Sequence, residues 1–97
     1  MWPNQAEREQ ILDRGEGCYD YVGEYEWEVL NELGLDLEQN TQGSWGSVEI
    51  FSEGDYENAV SIDYGFYTEV EEELFLDSES AEEFKEGFEN FILSQID

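Results

Sequence analysis

The chain has 97 residues and carries 27 acidic side chains against three basic ones, Arg8, Arg14 and Lys85, so its formal net charge is −24. That charge excludes nucleic acid and anionic membrane surfaces as direct partners, since both are themselves negative, and it favours a cationic partner. The length allows one domain with a single modest core, and neither a membrane-spanning run nor a signal peptide is predicted.

The composition alone is typical of a disordered chain, because a hydrophobic fraction of 39% is combined with a large net charge. Aromatic residues nevertheless make up 15% of the sequence. They recur at regular spacings, which indicates that they pack against one another. We therefore expect a folded domain.

Two helices are predicted at the N-terminal end. Asn4 and Glu7 have the spacing of a capping box, which indicates that a first helix starts after Asn4. A second helix is predicted over residues 18 to 33, where apolar residues recur at helical spacing. This stripe consists of Cys18, Val22, Tyr25, Val29 and Leu33, and the remaining positions hold Glu24, Glu26, Glu28 and Glu32. Gly34 is typical of a residue that follows a helix, and residues 35 to 47 are predicted to form a polar loop.

An antiparallel meander of three strands is predicted between residues 48 and 76. The first strand begins at Val48 and leads to a turn at residues 53 to 55, and the second strand places on one face Val60, Ile62, Tyr64 and Phe66. In the third strand, residues 68 to 76, alternation turns inward Val70, Leu74 and Leu76, and outward Glu69, Glu71, Glu73 and Phe75. Glu72 interrupts the inward set and indicates a bulge. A helix remains an alternative for this segment, since glutamate is a good helix former.

The last predicted element is a helix that starts after Ser80. Ser80 and Glu83 repeat the capping-box spacing, and an apolar stripe follows that consists of Phe84, Phe88, Phe91 and Ile92. The predicted fold is α+β: two N-terminal helices, a three-stranded antiparallel β-meander and a C-terminal helix packed on the sheet. Residues 1 to 97 form a single acidic domain in this prediction.

The side chains available exclude most catalytic and metal-binding sites. The sequence has no histidine, and its one cysteine, Cys18, can form neither a zinc site nor an internal disulfide. Residues 55 to 66 resemble a calcium loop only in part, because Val60 and Phe66 stand where an EF-hand needs glycine and glutamate. Among so many acids, a carboxylate pair with glycosidase-like spacing occurs by chance. We expect a protein that is not an enzyme and that has no cofactor and no metal site.

Acidic residues around the third predicted strand are the candidate partner-binding surface. Residues two apart on one face of a strand lie about 6.6–6.8 Å apart, which is comparable to the spacing of phosphates along a nucleic-acid strand. The predicted contact residues are Glu53, Asp55, Glu57, Asp63, Tyr67, Glu69, Glu71, Glu72, Glu73, Asp77 and Glu79. A solvated surface without a partner is the alternative. We disfavour it because charge of a single sign destabilises the compact state.

Several aromatic residues are predicted to be exposed within this acidic surface and to anchor a protein interface. They are Trp2, Trp45, Tyr56, Tyr67 and Phe75. A role in packing the core of a small domain remains the alternative for them. Cys18 is predicted to be a small buried residue.

The charge can be compared with that of DNA. A compact chain of this length is roughly 30–35 Å across. Duplex DNA of that length carries roughly 18–20 negative charges, so the formal charge of −24 equals or exceeds it.

In charge, size and the order α–βββ–α, the chain resembles small phage-encoded proteins that imitate DNA. This class includes anti-CRISPR proteins, anti-restriction proteins and uracil-DNA glycosylase inhibitors. The resemblance is one of character over the whole chain, and no motif carries it. It implies an inhibitor in the cytoplasm of the host bacterial cell, whose acidic face occupies a basic cleft of a Cas nuclease or Cascade-type effector, such as the PAM-reading site.

Three other functions remain open at this point. An immunity protein for a nuclease toxin is similar in size and acidity and also blocks a basic cleft. An ordinary domain of a halophile carries acid on all faces to hold water and salt. An acidic chaperone or transcription regulator that mimics nucleic acid is the third.

Overall fold

The computed structural model describes residues 2–15, 17–40 and 46–96. Its elements follow the predicted α+β order. The helices are α1 (Gln5–Asp13), α2 (Tyr19–Leu33), α3 (Tyr64–Asp77) and α4 (Ala81–Ile96). The strands are β1 (Leu35–Asn40), β2 (Ser47–Ser52) and β3 (Val60–Asp63).

Local signals place the first two helices as predicted. The Glu7 N–H donates to Asn4 Oδ1 at 2.9 Å, and the Asn4 N–H donates to Glu7 Oε1, so the capping box at the start of α1 is confirmed. Gly34 ends α2 in the left-handed conformation with φ 71°, which glycine adopts without steric cost. Within the predicted stripe of α2, Cys18 and Val22 are fully buried.

The sheet is antiparallel with the order β1-β2-β3, but one of its strands lies where a loop was predicted. The loop prediction is wrong for residues 35 to 40, which pair with β2 from Leu35↔Ser52 to Asn40↔Ser47. The physical reason is tertiary: Leu35 is buried and Leu37, opposite Ile50, packs against the core, so two inward leucines outweigh the polar residues between them.

The predicted third strand, residues 68 to 76, is wrong, and the alternative of a helix is confirmed by α3. The side chains that α3 buries are Tyr67, Glu71 and Phe75, which recur every fourth residue as on one side of a helix. Strand β3 ends at Asp63, whose carboxylate accepts a hydrogen bond from the Phe66 N–H at 2.9 Å and caps α3. Tyr64 and Phe66 therefore belong to the helix and not to a strand face.

Helix α4 forms the last element as predicted. The Glu83 N–H donates to Ser80 Oγ at 3.2 Å, while the Glu83 carboxylate accepts from the Glu79 N–H at 2.6 Å. Its buried residues are Phe84, Phe88 and Ile92. Helix α4 packs chiefly on α2, and α3 packs on α1, α4 and the sheet.

Trp2 closes the core at the N-terminal end, so its predicted exposure is wrong. Its ring lies 5.5 Å from Phe75 and 5.7 Å from Phe84 between centroids, and its Nε1 donates to the Ser78 carbonyl at 3.0 Å. Phe75 was also predicted to face outward and is fully buried. Trp45 lies outside the described residues. Tyr56 is 69% exposed, as predicted.

Candidate partner-binding surface

Exposed acidic side chains occur on every described helix and strand, with Glu49 partly exposed on β2. Every described Asp and Glu other than Glu26 and Glu71 is at least partly exposed. None of the described helices carries a basic residue in its last turn, where it would offset the negative end of the helix dipole. The exposed charge of the described residues is therefore predominantly negative.

Arg8 contributes little to neutralising this surface because it is buried. Its Nη1 donates to the Pro3 carbonyl at 2.9 Å and its Nη2 donates to the Leu76 carbonyl at 3.4 Å, near the C-terminal end of α3. Its contact with Glu79 is longer, 3.8 Å, and the Glu79 side chain is 74% exposed, so this ion pair is weak. One of the three basic residues thus ties α1 to the end of α3.

Lys85 is held between helices α2 and α4. Its Nζ lies 3.2 Å from Glu82 and 3.5 Å from Glu28, and a hydrogen bond with Glu82 raises the Lys85 pKa. The groove beside it, about 330 Å³ in volume, is lined by Val29, Glu32, Glu82, Lys85, Glu86 and Glu89. Carboxylates outnumber the single ammonium here, so the groove remains acidic.

Four of the predicted contact residues form a row on the outer face of α3. This α3 acidic row consists of Glu69, Glu72, Glu73 and Asp77, all of which are exposed. With a rise of about 1.5 Å per residue, the row is about 12 Å long and holds one charge per 3–4 Å. The geometry differs from the predicted strand, yet the row of carboxylates on one element remains.

Tyr67 and Glu71 do not belong to this row, and their predicted exposure is wrong. Tyr67 is 2% exposed and Glu71 is 8% exposed. The physical reason is the period of the element, because a helix turns residues 67 and 71 to the same inner side, whereas a strand would have placed them on the outer face. Glu71 therefore lies beside the core and not in line with Glu69 and Glu73.

The remaining predicted contact residues are spread over the fold. Glu53, Asp55 and Glu57 lie in the turn between β2 and β3, and the Asp55 carboxylate accepts hydrogen bonds from the Asn58 amide at 3.0 and 3.2 Å. Asp63 lies at the opposite end of β3, where it pairs with Ser47. The β2–β3 turn and Asp63 thus occupy opposite ends of the sheet.

A cluster of polar side chains lies in the interior between α2 and α3. The Tyr67 hydroxyl donates to Glu26 Oε1, and the Cys18 thiol donates to Glu71 Oε1 at 3.3 Å. Glu26 is 3% exposed and Cys18 is 1% exposed. The prediction that Cys18 is buried is confirmed, whereas Glu26 is not at a solvent-facing position of α2.

The two buried carboxyl groups hold a proton between them. Burial raises the pKa of Glu26 well above its ordinary value and neighbouring Glu71 raises it further, while the Tyr67 hydrogen bond lowers it in part. Glu26 Oε2 has no hydrogen-bond partner among the described residues when both carboxyls are ionised, since neither is then a donor. With a proton on Glu26, the pair forms one hydrogen bond and carries a single negative charge.

The same surroundings keep the other two members of the cluster neutral. Burial raises the pKa of the Cys18 thiol, and Glu71 raises it further. Burial also raises the pKa of the Tyr67 hydroxyl, and Glu26 adds to this effect. A thiol held in its protonated form is a poor nucleophile, so the cluster has no activated cysteine.

A pocket opens to solvent beside the cluster. This tyrosine pocket, about 200 Å³ in volume, is lined by Tyr19, Gln39, Tyr64, Tyr67, Thr68 and Glu71. The Tyr19 ring lies over Gly23 of the same helix, where an added Cβ would come within 2.9 Å of the ring. Trp27 Nε1 donates to the Tyr19 hydroxyl at 3.1 Å. Because Gly23 has no side chain, the Tyr19 ring can pack against α2 and form one wall of the pocket.

Sequence reasoning missed Glu26 and Tyr19. Position 26 follows Val22 by four residues and precedes Leu30 by four, so it belongs to the buried side of α2. That spacing was the available signal for Glu26. The position of Tyr19 beside Gln39 and Thr68 has no sequence signal, because the three residues come from separate elements.

No protein-family model matches the chain, and neither a curated protein nor a solved structure matches it. Within residues 2–15, 17–40 and 46–96, no group of three or more Cys, Asp and Glu side chains is arranged to hold a metal ion. In the same part of the chain, every helix is too short or too polar to cross a membrane.

Proposed function

We propose that this protein is a DNA-mimic inhibitor of the anti-CRISPR type, which occupies the basic DNA-binding cleft of a Cas effector and blocks target DNA. The observation that carries the proposal is charge per unit length. The formal charge is −24 and the longest dimension of the described fold is 42 Å. Duplex DNA of that length carries about 25 charges, at one per about 1.7 Å. A basic cleft therefore encounters the charge density of the DNA that the protein displaces.

The α3 acidic row supports the proposal at the level of single charges. Its spacing of one carboxylate per 3–4 Å along the helix axis is close to the rise of roughly 3.4 Å per phosphate of one strand, measured along the axis of duplex DNA. Charges fixed on a helix lose less conformational entropy on binding than charges on a flexible loop. This row is the proposed contact for the PAM-reading or duplex-binding region of the effector.

Exposed aromatic side chains support a protein as the partner. Phe66 is 47% exposed at the start of α3, close in sequence to the α3 acidic row, and Tyr21 on α2 is 41% exposed. Aromatic residues are enriched among those that dominate binding energy at protein interfaces. The acidic field steers the encounter, so we propose rapid association that slows steeply with added salt.

Capture of the partner followed by competition with DNA tests the function. The tagged protein is used to retrieve binding proteins from a CRISPR-bearing bacterial lysate, which mass spectrometry identifies. The retrieved effector is then purified and mixed with a fluorescent PAM-containing duplex, whose anisotropy reports binding. We expect a Cas effector, and loss of duplex binding when this protein is added first. Simultaneous binding of duplex and protein contradicts the proposal, and retrieval of a nuclease toxin replaces it with an immunity function.

Two variants of equal net charge test whether affinity for the effector depends on the α3 acidic row or only on the total negative charge of the protein. In the first, Glu69, Glu73 and Asp77 are replaced by lysine. In the second, the same replacement is made at three scattered exposed positions, which are Glu9, Glu24 and Glu38. We expect the first variant to lose about 100-fold in affinity and the second about tenfold or less, since only the first breaks close charge pairs. Equal losses would show that the row has no special part.

A further inference from the structure

The tyrosine pocket is distinct from the α3 acidic row and has a size suited to one side chain. Its volume of about 200 Å³ is below the roughly 300–1,000 Å³ of pockets that hold whole small molecules. Its lining residues come from α2, β1 and α3, so the fold builds it from three elements. A concave site of this size on a protein-binding surface accommodates an anchor residue of the partner.

The lining selects for a cation that also has an apolar face. Tyr19 and Tyr64 are 46% and 36% exposed and present aromatic rings, whose faces attract cations. Glu71 supplies a carboxylate that is nearly buried, at 8% exposure, where attraction to a cation is screened less than at the surface. Thr68 and Gln39 add a hydroxyl and an amide oxygen that accept hydrogen bonds.

Two helix N-termini also lie near the pocket, and their dipoles oppose a cation. Tyr19 begins α2 and Tyr64 begins α3, and each N-terminus is equivalent to roughly +0.5 of a charge. Asp20 in the first turn of α2 and Asp63 at the cap of α3 each carry a full negative charge there. Each acid offsets the dipole of its own helix, and Glu71 is the acidic side chain that lines the pocket itself.

The buried carboxyl pair lies behind the same wall. Glu26 contacts Tyr67, which lines the pocket, and shares a hydrogen bond with Glu71, which also lines it. The pair retains one negative charge when Glu26 is protonated, and that charge attracts a cation in the pocket.

We propose that the tyrosine pocket binds one guanidinium group, the head of an arginine side chain on the basic partner. Guanidinium is planar, stacks on aromatic rings and presents a fork of donors to a carboxylate, whereas ammonium is a compact and strongly hydrated point charge. The aromatic rings of Tyr19 and Tyr64, which line the pocket together with Glu71, suit guanidinium better than ammonium. The inference rests on the proposed function only in taking the arginine from a basic protein.

The pocket is tested without the partner, by titration with N-acetyl-arginine amide followed by NMR of the backbone amides. The salt concentration is about 0.15 M, so that diffuse attraction to the surface is screened beyond roughly 8 Å. We expect shifts concentrated at residues 19, 39, 64, 68 and 71. N-acetyl-citrulline amide, neutral and of nearly the same shape, is expected to bind at least tenfold more weakly, and the lysine analogue at least threefold. Equal binding of either compound overturns the proposal, as do shifts spread over the whole acidic surface.

Three variants assign the binding to the pocket. Glu71→Gln retains the shape and the acceptor for Cys18 but removes the charge, and we expect it to lower affinity for the arginine amide at least tenfold. Glu72→Gln makes the same change at the adjacent exposed residue and is expected to change affinity less than twofold. Tyr19→Leu removes an aromatic face at a half-exposed position and is expected to lower affinity at least threefold. Equal effects of the two glutamine variants, or none from Tyr19→Leu, overturn the proposal.

The result is independent of the test of function. Binding of arginine amide in the pocket together with failure to compete with DNA would retain the pocket and remove the DNA-mimic proposal. Competition with DNA together with no binding of arginine amide would retain the DNA-mimic proposal and remove the proposed arginine pocket. In either case the failed proposal is identified.

Discussion

Glu71 and Glu73 are two positions apart on α3, yet they lie in opposite environments. Glu71 is 8% exposed and faces the interior, whereas Glu73 belongs to the α3 acidic row. The same contrast separates two aromatic residues of this helix, since Phe75 is fully buried and Phe66 is 47% exposed. On α3, glutamate and phenylalanine each occur both in the core and at the surface, so residue type alone does not predict burial. Position on the helix predicts it, because the buried residues recur every fourth position.

Replacing the two phenylalanines of α3 by alanine tests this contrast with the largest expected effect. Phe75→Ala removes a fully buried ring that contacts Trp2, and we expect it to lower the free energy of unfolding by about 3–5 kcal/mol. Phe66→Ala removes a half-exposed ring and is expected to lower it by about 1 kcal/mol or less. Urea denaturation followed by circular dichroism measures both. A larger loss of stability in Phe66→Ala than in Phe75→Ala would contradict the helix and support the predicted strands, in which Phe66 faces the core and Phe75 faces solvent.

The buried carboxyl of Glu26 predicts a pH dependence of stability. Because the pKa of Glu26 is raised in the folded state, the folded protein keeps a proton that the unfolded chain loses above the ordinary value of 4.5. The contribution of this proton to stability is therefore fully present below that pH and is lost as the pH rises towards the raised pKa. The slope attributable to this one group is at most about 1.4 kcal/mol per pH unit.

Glu26→Gln isolates this contribution from the repulsion among the surface acids. The neutral amide donates to Glu71 and accepts from Tyr67, as protonated Glu26 does. We expect the variant and the natural protein to have equal stability near pH 4.5, and the variant to gain an advantage as the pH rises to about 8. Urea denaturation at several pH values measures the difference. A difference that does not vary with pH contradicts the shared proton.

Asp63 provides an intermediate test, because it was predicted as a contact residue and also caps α3. Asp63→Ala removes the acceptor for the Phe66 N–H and is expected to lower stability by about 1 kcal/mol. Asp63→Asn keeps an acceptor and is expected to leave stability nearly unchanged while removing the charge. Urea denaturation measures how much the Asp63 cap contributes to stability, and the competition assay with DNA measures how much the Asp63 charge contributes to inhibition. Equal loss of stability in both variants would show that the carboxylate acts by its charge alone.

Local patterns made much of the fold predictable. The capping box at Asn4 and the glycine at Gly34 act over a few residues, and the structure follows both. Strand β1 was not predictable in this way, because its pairing with β2 outweighs its polar composition. Helix α3 was ambiguous, since alternation and helical spacing both occur in TEVEEELFL, and only packing of Phe75 in the core decides between them.

The candidate sites divide in the same way. Most of the acids predicted for the surface are exposed, because unpaired carboxylates remain in water, and composition alone predicts that. The tyrosine pocket combines Tyr19, Gln39 and Thr68, which are far apart in sequence, so no local pattern reveals it. Glu71 contributes to the pocket only because α3 is a helix. The error in the predicted strand therefore concealed this site as well.

The smallest expected effect concerns the exposed side of the contrast. Glu69 and Glu73 stand four residues apart on α3, where like charges destabilise a helix by about 0.2–0.5 kcal/mol. Glu69→Gln should therefore raise the free energy of unfolding by that amount at low salt and by almost nothing at 1 M salt, where the Debye length is about 3 Å. Glu57→Gln, in the β2–β3 turn, serves as the control without a helical neighbour. The same Glu69→Gln change is expected to weaken inhibition, and a gain in both stability and inhibition would show that the row is not a binding surface.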